Sequence, residues 1–351
     1  MSELSERQSR NTMARAFLDA SGWSTAAVSP LAGDASNRRY LRVRDPARHA
    51  VLMDAPPERG EDVRPFVAVT EWLLDQGFSA PRIFAADPER GLLLIEDLGD
   101  DLYARHLERH PGDERGLYSA AVDLLVAASA MPVPEVLGSE RLPLKPYDAS
   151  VLEREAALLT EWWVPAATGE PTSTDLDAEY RDLVARACAP VASERSVLVQ
   201  RDYHAENLLW LPDREGHAKV GLLDYQDALA GHPAYDLVSL LEDARRDTSR
   251  ALQEAMLDRY LAARPDLDVT AFRRDYAVLG AQRNLKIVGI FARLWVRDGK
   301  PNYLDLIPRV WAHLMHDLSH PDLVALRTWV RRHVPAPEDE VLNRIRHGGE
   351  A

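Results

Sequence analysis

The order of apolar and polar positions divides the chain into a short strand-rich stretch followed by a longer helical one. Residues 7–20 place Met13, Phe17 and Leu18 on one side at helical spacing, which predicts an amphipathic helix. Three short strands are expected next, at Val28–Leu31, Tyr40–Val43 and Ala50–Met53. They are separated by Gly33-Asp34-Ala35-Ser36-Asn37 and by Asp45-Pro46, residue types that favour turns. Residues 62–76 restore a helical pattern through Phe66, Val69, Leu73 and Leu74, with Gly77 as the stop. Pro81–Ala85 and Leu92–Ile95 read as two further strands, the second being a run of four aliphatics suited to burial.

Beyond Gly99 the helical period dominates, with helices expected over 114–130, 149–163, 175–188, 235–244, 248–263, 271–297 and 305–333. One compact β-like interruption, Val197–Tyr225, breaks the series. The pattern predicts an α+β fold with a small β-sheet part carrying a helix over 1–98 and a larger, mostly helical part over 99–345. A polar tail is expected over 346–351, with residues from about Pro335 onward loosely held.

Composition narrows the function classes. With 351 residues, 46% hydrophobic and 28% charged, the chain has enough apolar material for a large core. Its 42 basic and 56 acidic residues leave a net charge of −14, which argues against a nucleic-acid partner. A single cysteine, Cys188, rules out an intramolecular disulfide framework and a cysteine-rich zinc site. No apolar run is as long as a membrane span, and Met1–Arg10 lacks the apolar core of a secretory signal. The expectation is a cytoplasmic monomer without a membrane partner.

The chemistry is concentrated in the interruption. Gln200-Arg201-Asp202-Tyr203-His204-Ala205-Glu206-Asn207 sets an acid and an asparagine five apart, and aliphatics follow at once. Seventeen residues after Asn207 comes Leu222-Leu223-Asp224, and a third acid follows in Gly231-His232-Pro233-Ala234-Tyr235-Asp236-Leu237. Phosphoryl transfer asks the protein for positioning and charge neutralisation more than for covalent chemistry. One carboxylate faces the acceptor hydroxyl, while a second carboxylate and a side-chain oxygen hold magnesium, a cation that prefers hard oxygens and keeps several waters. Asp202 fits the first role, and Asn207 and Asp224 fit the second. Each alone is equally a turn or cap residue, and the ordered set carries the reading.

Asp-x-x-x-x-Asn followed by aliphatic-aliphatic-Asp resembles the catalytic and metal loops of protein-kinase-like enzymes. His204 and the Gly-x-Pro-x-x-Asp-Leu segment resemble the aminoglycoside phosphotransferase and choline kinase branch, over about residues 25–320. The resemblance implies a two-lobed kinase-like fold with ATP and Mg2+ bound between the lobes. It makes His204 and Asp236 structural supports of the catalytic loop, although His204 read alone is also a candidate base. It places Gly33, Asp34, Ser36 and Arg38 in a phosphate-covering hairpin, and the backbone of Glu96 and Leu98 at an adenine-binding hinge. The third strand departs from the pattern, because Met53 stands where a phosphate-binding lysine is expected and Glu71 is left without an obvious partner. Arg38 or Arg39 is the candidate replacement charge. No Gly-x-x-x-x-Gly-Lys-Ser/Thr loop exists, which excludes the P-loop kinases.

The acceptor is read from the helical part. Residues 270–300 hold seven basic and two acidic residues, which disfavours a polycationic acceptor. Arg283, Lys286, Arg293 and Arg297 share one stripe at 100° per residue, beside an apolar face on which Asn284 also falls. Most of that stripe is equally an ordinary solvated face. Gly33-Asp34-Ala35-Ser36-Asn37-Arg38-Arg39-Tyr40, Met53-Asp54-Ala55-Pro56-Pro57-Glu58, Gln282-Arg283-Asn284-Leu285-Lys286 and Arg297-Asp298-Gly299-Lys300 resemble the cell-wall-recycling anomeric kinases. Those enzymes phosphorylate the anomeric hydroxyl of N-acetylmuramate and N-acetylglucosamine with ATP. The resemblance makes Asp202, Arg283, Asn284 and Trp162 candidate acceptor contacts, with Trp162 stacking on a sugar face. A same-fold kinase for an aminoglycoside, a choline-like alcohol or another sugar remains open, as does a non-catalytic nucleotide-binding regulator.

Overall fold

A computed structural model describes residues 3–31 and 37–347. In chain order the elements begin α1 (Glu3–Ala20), β1 (Ala27–Pro30), β2 (Arg39–Arg44), β3 (His49–Asp54), α2 (Arg64–Asp75), β4 (Ile83–Asp87) and β5 (Leu92–Glu96). Then follow α3 (Tyr103–Arg109), α4 (Glu114–Ser129), β6 (Val136–Leu137), β7 (Leu142–Pro143), α5 (Ala149–Ala156), α6 (Val164–Thr168) and α7 (Thr174–Cys188). The rest are β8 (Val197–Val199), β9 (Leu208–Trp210), β10 (Val220–Leu222), β11 (Leu229–Gly231), α8 (Ala234–Leu241), α9 (Arg250–Ala263), α10 (Val269–Val296), α11 (Ile307–Asp317), α12 (Val324–His333) and α13 (Asp339–His347). This is the α+β architecture expected from the apolar pattern.

The chain forms two compact units. The first comprises Met1–Tyr103, Pro134–Leu144 and Asn207–Asp227, so it takes in two excursions from the later sequence. Its five-stranded antiparallel sheet has the order β1-β2-β3-β5-β4. Leu52 and Leu94 on β3 and β5 are fully buried and join Ala14, Leu18 and Trp23 in one core cluster, so the apolar side of α1 closes one face of the sheet. On α2, Phe66 stacks on Tyr225 with ring centroids 5.2 Å apart, and Thr70 Oγ1 lies 2.7 Å from the Tyr225 hydroxyl, which ties the excursion 207–227 to the helix. Strands β9 and β10 form a separate antiparallel hairpin in this unit.

The second unit comprises Ala104–Val133, Lys145–Glu206 and Ala228–Ala351. Its centre is α10, a 28-residue helix buried along most of its length, with Asp268 capping the Ala271 N–H. The helix expected over 149–163 is interrupted: α5 ends at Ala156 and a π-helical turn, Leu159–Trp163, follows. Gly289 of α10 permits the close approach there, since a Cβ on it would sit 2.3 Å from the backbone carbonyl of Leu158. The helix expected over 305–333 is split into α11 and α12 at Pro321, which cannot donate a helical hydrogen bond.

The carboxy-terminal region differs from its expectation. Residues after Pro335 are not loosely held as far as they are described. Helix α13 buries Leu342 and Ile345, and the Pro335 carbonyl accepts the Trp163 indole N–H at 3.0 Å. The polar reading missed this because two apolar residues three apart suffice to seat one face of a short helix. No described helix is long and apolar enough to cross a membrane.

Candidate active site

The second unit carries Asp202. Strand β8 delivers the chain to Gln200, and the backbone N–H groups of Gln200 and Arg201 both donate to the buried carboxylate of Asp236, at 2.7 and 2.9 Å. Arg201 is held at φ 76°, a left-handed conformation that costs a non-glycine residue roughly 1–2 kcal/mol. Its carbonyl accepts from Ser239 Oγ at 3.2 Å, so residues of α8 grip its backbone on both sides. Burial raises the Asp236 carboxyl to about 7 against the two N–H donors that lower it. Asp202 itself is half-buried.

His204 is buried, with its Nε2 3.4 Å from Arg245. Burial pushes its imidazole down to about 4, so it is neutral at physiological pH. The Ala205 N–H donates to Asp243 at 3.3 Å. His204 and Asp236 therefore sit as packed groups around the loop.

The first unit carries Asn207 and Asp224. Leu208 of β9 pairs with Leu222 of β10, and the Leu223 N–H donates to the Asn207 carbonyl at 3.0 Å. This hairpin register places residues 17 apart in sequence side by side, with Asn207 Nδ2 3.5 Å from Asp224 Oδ2. Asp224 adopts φ 58°, which a short polar side chain tolerates better than most. Its Oδ1 accepts from Gln226 Nε2 at 2.8 Å. The pair offers an amide oxygen and a carboxylate, both half-buried, a donor set suited to a hard cation that retains water.

At the expected hinge, the Glu96 N–H donates to the Arg82 carbonyl at 2.8 Å and its side chain accepts from Arg214 at 2.9 Å. The Glu96 N–H is thus committed to protein. Leu98 lies next to Gly221, where an added Cβ would come within 3.4 Å of its Cδ1 and 2.9 Å of the Leu209 side chain.

Met53 is buried on β3 opposite Tyr40 and Leu93. Neither arginine proposed to replace a lysine there is uncommitted: Arg38 bonds Glu61 at 2.8 Å, and Arg39 bonds the buried Asp54 together with Arg10. Glu71 has a partner that the sequence did not disclose, the Ser139 N–H at 2.6 Å and hydroxyl at 3.1 Å on the β6–β7 turn. Gly33, Asp34 and Ser36 lie outside the described residues.

The basic stripe on α10 is not one surface. Arg283 is buried and donates to Ser239 Oγ at 2.9 Å, and Lys286 is buried against Glu155 and Tyr235 at 3.3 and 3.0 Å. Asn284 is fully buried and donates to Glu242 and Asp317, which places it in the helical core instead of on an acceptor-facing wall. Arg297 is exposed and pairs with Asp298. Arg293 is half-exposed, and its buried Nε has no partner among the described residues. Trp162 is half-exposed on the π-helical turn, whereas Trp163 is fully buried.

The cluster that sequence reasoning missed centres on Glu155 of α5. Its carboxylate takes Arg201, Lys286 and the Tyr147 hydroxyl, and although burial opposes ionisation, the two cations hold it down to about 2. The available signal was an acid on the apolar face of a helix, between Leu152 and Leu159.

A model of the phosphotransferase enzyme family matches residues 27–273. The chain belongs to this family. The N-acetylmuramate/N-acetylglucosamine kinase of Caulobacter vibrioides is 43% identical to this phosphotransferase, covering 93% of this chain and 97% of that protein. The kinase of the same name from Pseudomonas aeruginosa is 36% identical, covering 88% and 89%. Among solved structures, the choline kinase LicA of Streptococcus pneumoniae matches with a TM-score of 0.58 at 14% identity, covering 86% of this chain and 99% of that one. The ADP-bound aminoglycoside phosphotransferase APH(2'')-Ib matches at 0.53 and 14%, covering 82% and 92%. At that identity the two structures establish the kinase-like fold of this phosphotransferase.

Proposed function

We propose that this phosphotransferase is an ATP-dependent kinase of the anomeric hydroxyl of N-acetylmuramate and N-acetylglucosamine, serving the recycling of cell-wall sugars. The observation that carries the reading is 43% identity, across 93% of the chain, to a kinase named for those two sugars. The ordered set Asp202, Asn207 and Asp224, each in the local setting its role asks for, supports it.

In the proposed mechanism the Asp202 carboxylate orients the C1 hydroxyl and takes its proton as the oxygen attacks the γ-phosphorus. The bond from that phosphorus to the bridging oxygen breaks and ADP leaves. The C1 hydroxyl is more acidic than an ordinary alcohol because of the ring oxygen, which eases its deprotonation. Asn207 and Asp224 would hold magnesium, which supplies charge neutralisation at the phosphates. The backbone around Leu98 would receive the adenine. Asp236 and His204 would keep the loop in place without touching substrate.

Two contacts expected from the sequence change under this reading. Arg283 and Asn284 are spent inside the helical core, which leaves Arg293 and Trp162 as candidates to meet the sugar. The test is magnesium-dependent ADP release with N-acetylmuramate, N-acetylglucosamine, glucose and kanamycin side by side. Turnover with the two acetamido sugars and neither of the others is expected. Turnover with kanamycin alone would overturn the acceptor assignment.

A further inference from the structure

Ser239 lies on α8, a helix buried at every position, and is itself fully buried. A serine inside a helix ordinarily returns its hydroxyl to the carbonyl one turn back. Ser239 Oγ instead leaves the helix and meets the Arg201 carbonyl at 3.2 Å, 38 residues earlier in the chain. Its second partner is Arg283 Nη2 of α10, at 2.9 Å. Chemistry fixes the sense of both bonds. A guanidinium only donates and a carbonyl only accepts, so the hydroxyl accepts from Arg283 and gives its one proton to Arg201. The relay therefore runs one way, from α10 through α8 to the loop, and its cationic end strengthens the bond at the other end.

That last bond falls on the peptide leading into Asp202. The Arg201 carbonyl and the Asp202 nitrogen belong to one planar unit, so the direction of the carbonyl sets the direction in which the chain enters Asp202. The preceding plane, which carries the Arg201 N–H, is held by Asp236 at 2.9 Å. Asp236 thus secures the plane on one side of the Arg201 Cα and Ser239 the plane on the other, and two fixed planes define both φ and ψ. Arg201 has φ 76°, a conformation that a residue other than glycine keeps only where its surroundings over-determine it.

We infer that Ser239 and Arg283 are positioning residues for phosphoryl transfer: Arg283, acting through the Ser239 hydroxyl, holds the Arg201–Asp202 peptide plane so that the Asp202 carboxylate meets the acceptor hydroxyl. The inference rests on the proposed role of Asp202. Without the hydroxyl the second plane turns about ψ of Arg201 to relieve the strained conformation, and the base moves with it. A displacement of about 1 Å at a reacting group costs on the order of 100-fold in rate. Both side chains are buried in the helical unit and spent on protein, so the loss falls on kcat and leaves the KM values in place.

The test is steady-state kinetics at saturating and limiting ATP and N-acetylmuramate, with kcat expressed per folded molecule from a melting curve of each variant. Ser239→Ala is expected to lower kcat about 30-fold, with both KM values within about threefold of wild type. Ser239→Thr, which keeps the hydroxyl, is expected to recover most of that loss. Arg283→Met, which keeps the length of the side chain and donates nothing, is expected to lower kcat about fivefold. In the Ser239→Ala background the same change is expected to shift kcat less than about twofold, because Arg283 acts through the hydroxyl. Residues that only pack the core would lower the melting temperature and leave turnover per folded molecule unchanged. Asp202→Ala is assayed alongside: if it keeps wild-type turnover, the proposed role of Asp202 fails and this inference with it. With Asp202→Ala inactive, three results would each overturn the positioning role alone. They are wild-type kcat in Ser239→Ala, a rise in sugar KM at unchanged kcat in that variant, and losses that multiply in the double variant. Should Arg283→Met fail to fold, Ser239→Ala decides by itself, since it removes a single oxygen.

Discussion

At the scale of single residues, the site divides into groups with exposed chemistry and groups that are fixed in place. Asp202, Asn207 and Asp224 are half-buried, whereas His204 and Asp236 are buried among protein partners. Asp202→Ala is therefore expected to reduce kcat at least 1,000-fold while nucleotide still raises the melting temperature, a combination read from turnover and thermal shift together. Asp224→Ala is expected to abolish the magnesium-dependent part of that thermal shift, leaving the chain folded. The spacing of these three residues was legible because the loop and hairpin that carry them are local in sequence. Glu155 was not, because its two cationic partners lie 46 and 131 residues away and no local pattern joins them. The partner of Glu71 escaped for the same reason, sitting 68 residues on in the turn of a hairpin whose two-residue strands are too short to show a strand period.

At the scale of elements, the apolar period located most helices and strands but could not foresee interruptions set by tertiary contact. The π-helical turn after α5 is the clearest case, since what shapes it is Gly289 on a helix more than a hundred residues away. Gly289→Ala is expected to destabilise the protein by about 1–3 kcal/mol in urea unfolding, because its Cβ would overlap backbone that cannot move aside like a side-chain tip. The α10 stripe illustrates a second limit. Spacing put four basic residues on one face, yet burial changes along the helix from Lys286 inward to Arg297 outward. Arg293 is the member left with a buried, unpartnered Nε, and burial and Arg297 both lower its pKa. Arg293→Ala is expected to raise KM for N-acetylmuramate about tenfold, the scale of one charge-assisted hydrogen bond to its lactyl carboxylate. KM for N-acetylglucosamine, which lacks that carboxylate, should change less than twofold.

At the scale of the whole molecule, two helical-unit histidines make folding sensitive to acid. His313 is buried, and burial, with Arg250, Arg283 and Arg309 outweighing Asp243, lowers it to about 4; His204 is lowered to about 4 as well. A histidine with a depressed folded pKa contributes full stability above its unfolded value near 6.5. That contribution is lost as pH falls from about 6.5 to about 4. Asp236, Glu242 and Asp317, raised by burial, act in the opposite direction, so the informative quantity is a difference between variants. Between pH 7.5 and 4.5, His313→Leu is expected to lose less unfolding free energy than the wild type, by on the order of 2 kcal/mol. An equal loss would contradict burial of a neutral imidazole there.

Phosphorylation at C1 can be read from the reducing end of the sugar. A free sugar reduces copper through its open-chain aldehyde, and a phosphate on the anomeric oxygen blocks ring opening, whereas a phosphate on any other hydroxyl leaves it intact. ADP release and reducing ends should be followed together in one reaction of the purified protein with ATP, magnesium and N-acetylmuramate. One reducing end is expected to be lost for each ADP formed. ADP formed with all reducing ends retained would place the phosphate elsewhere on the sugar and contradict it.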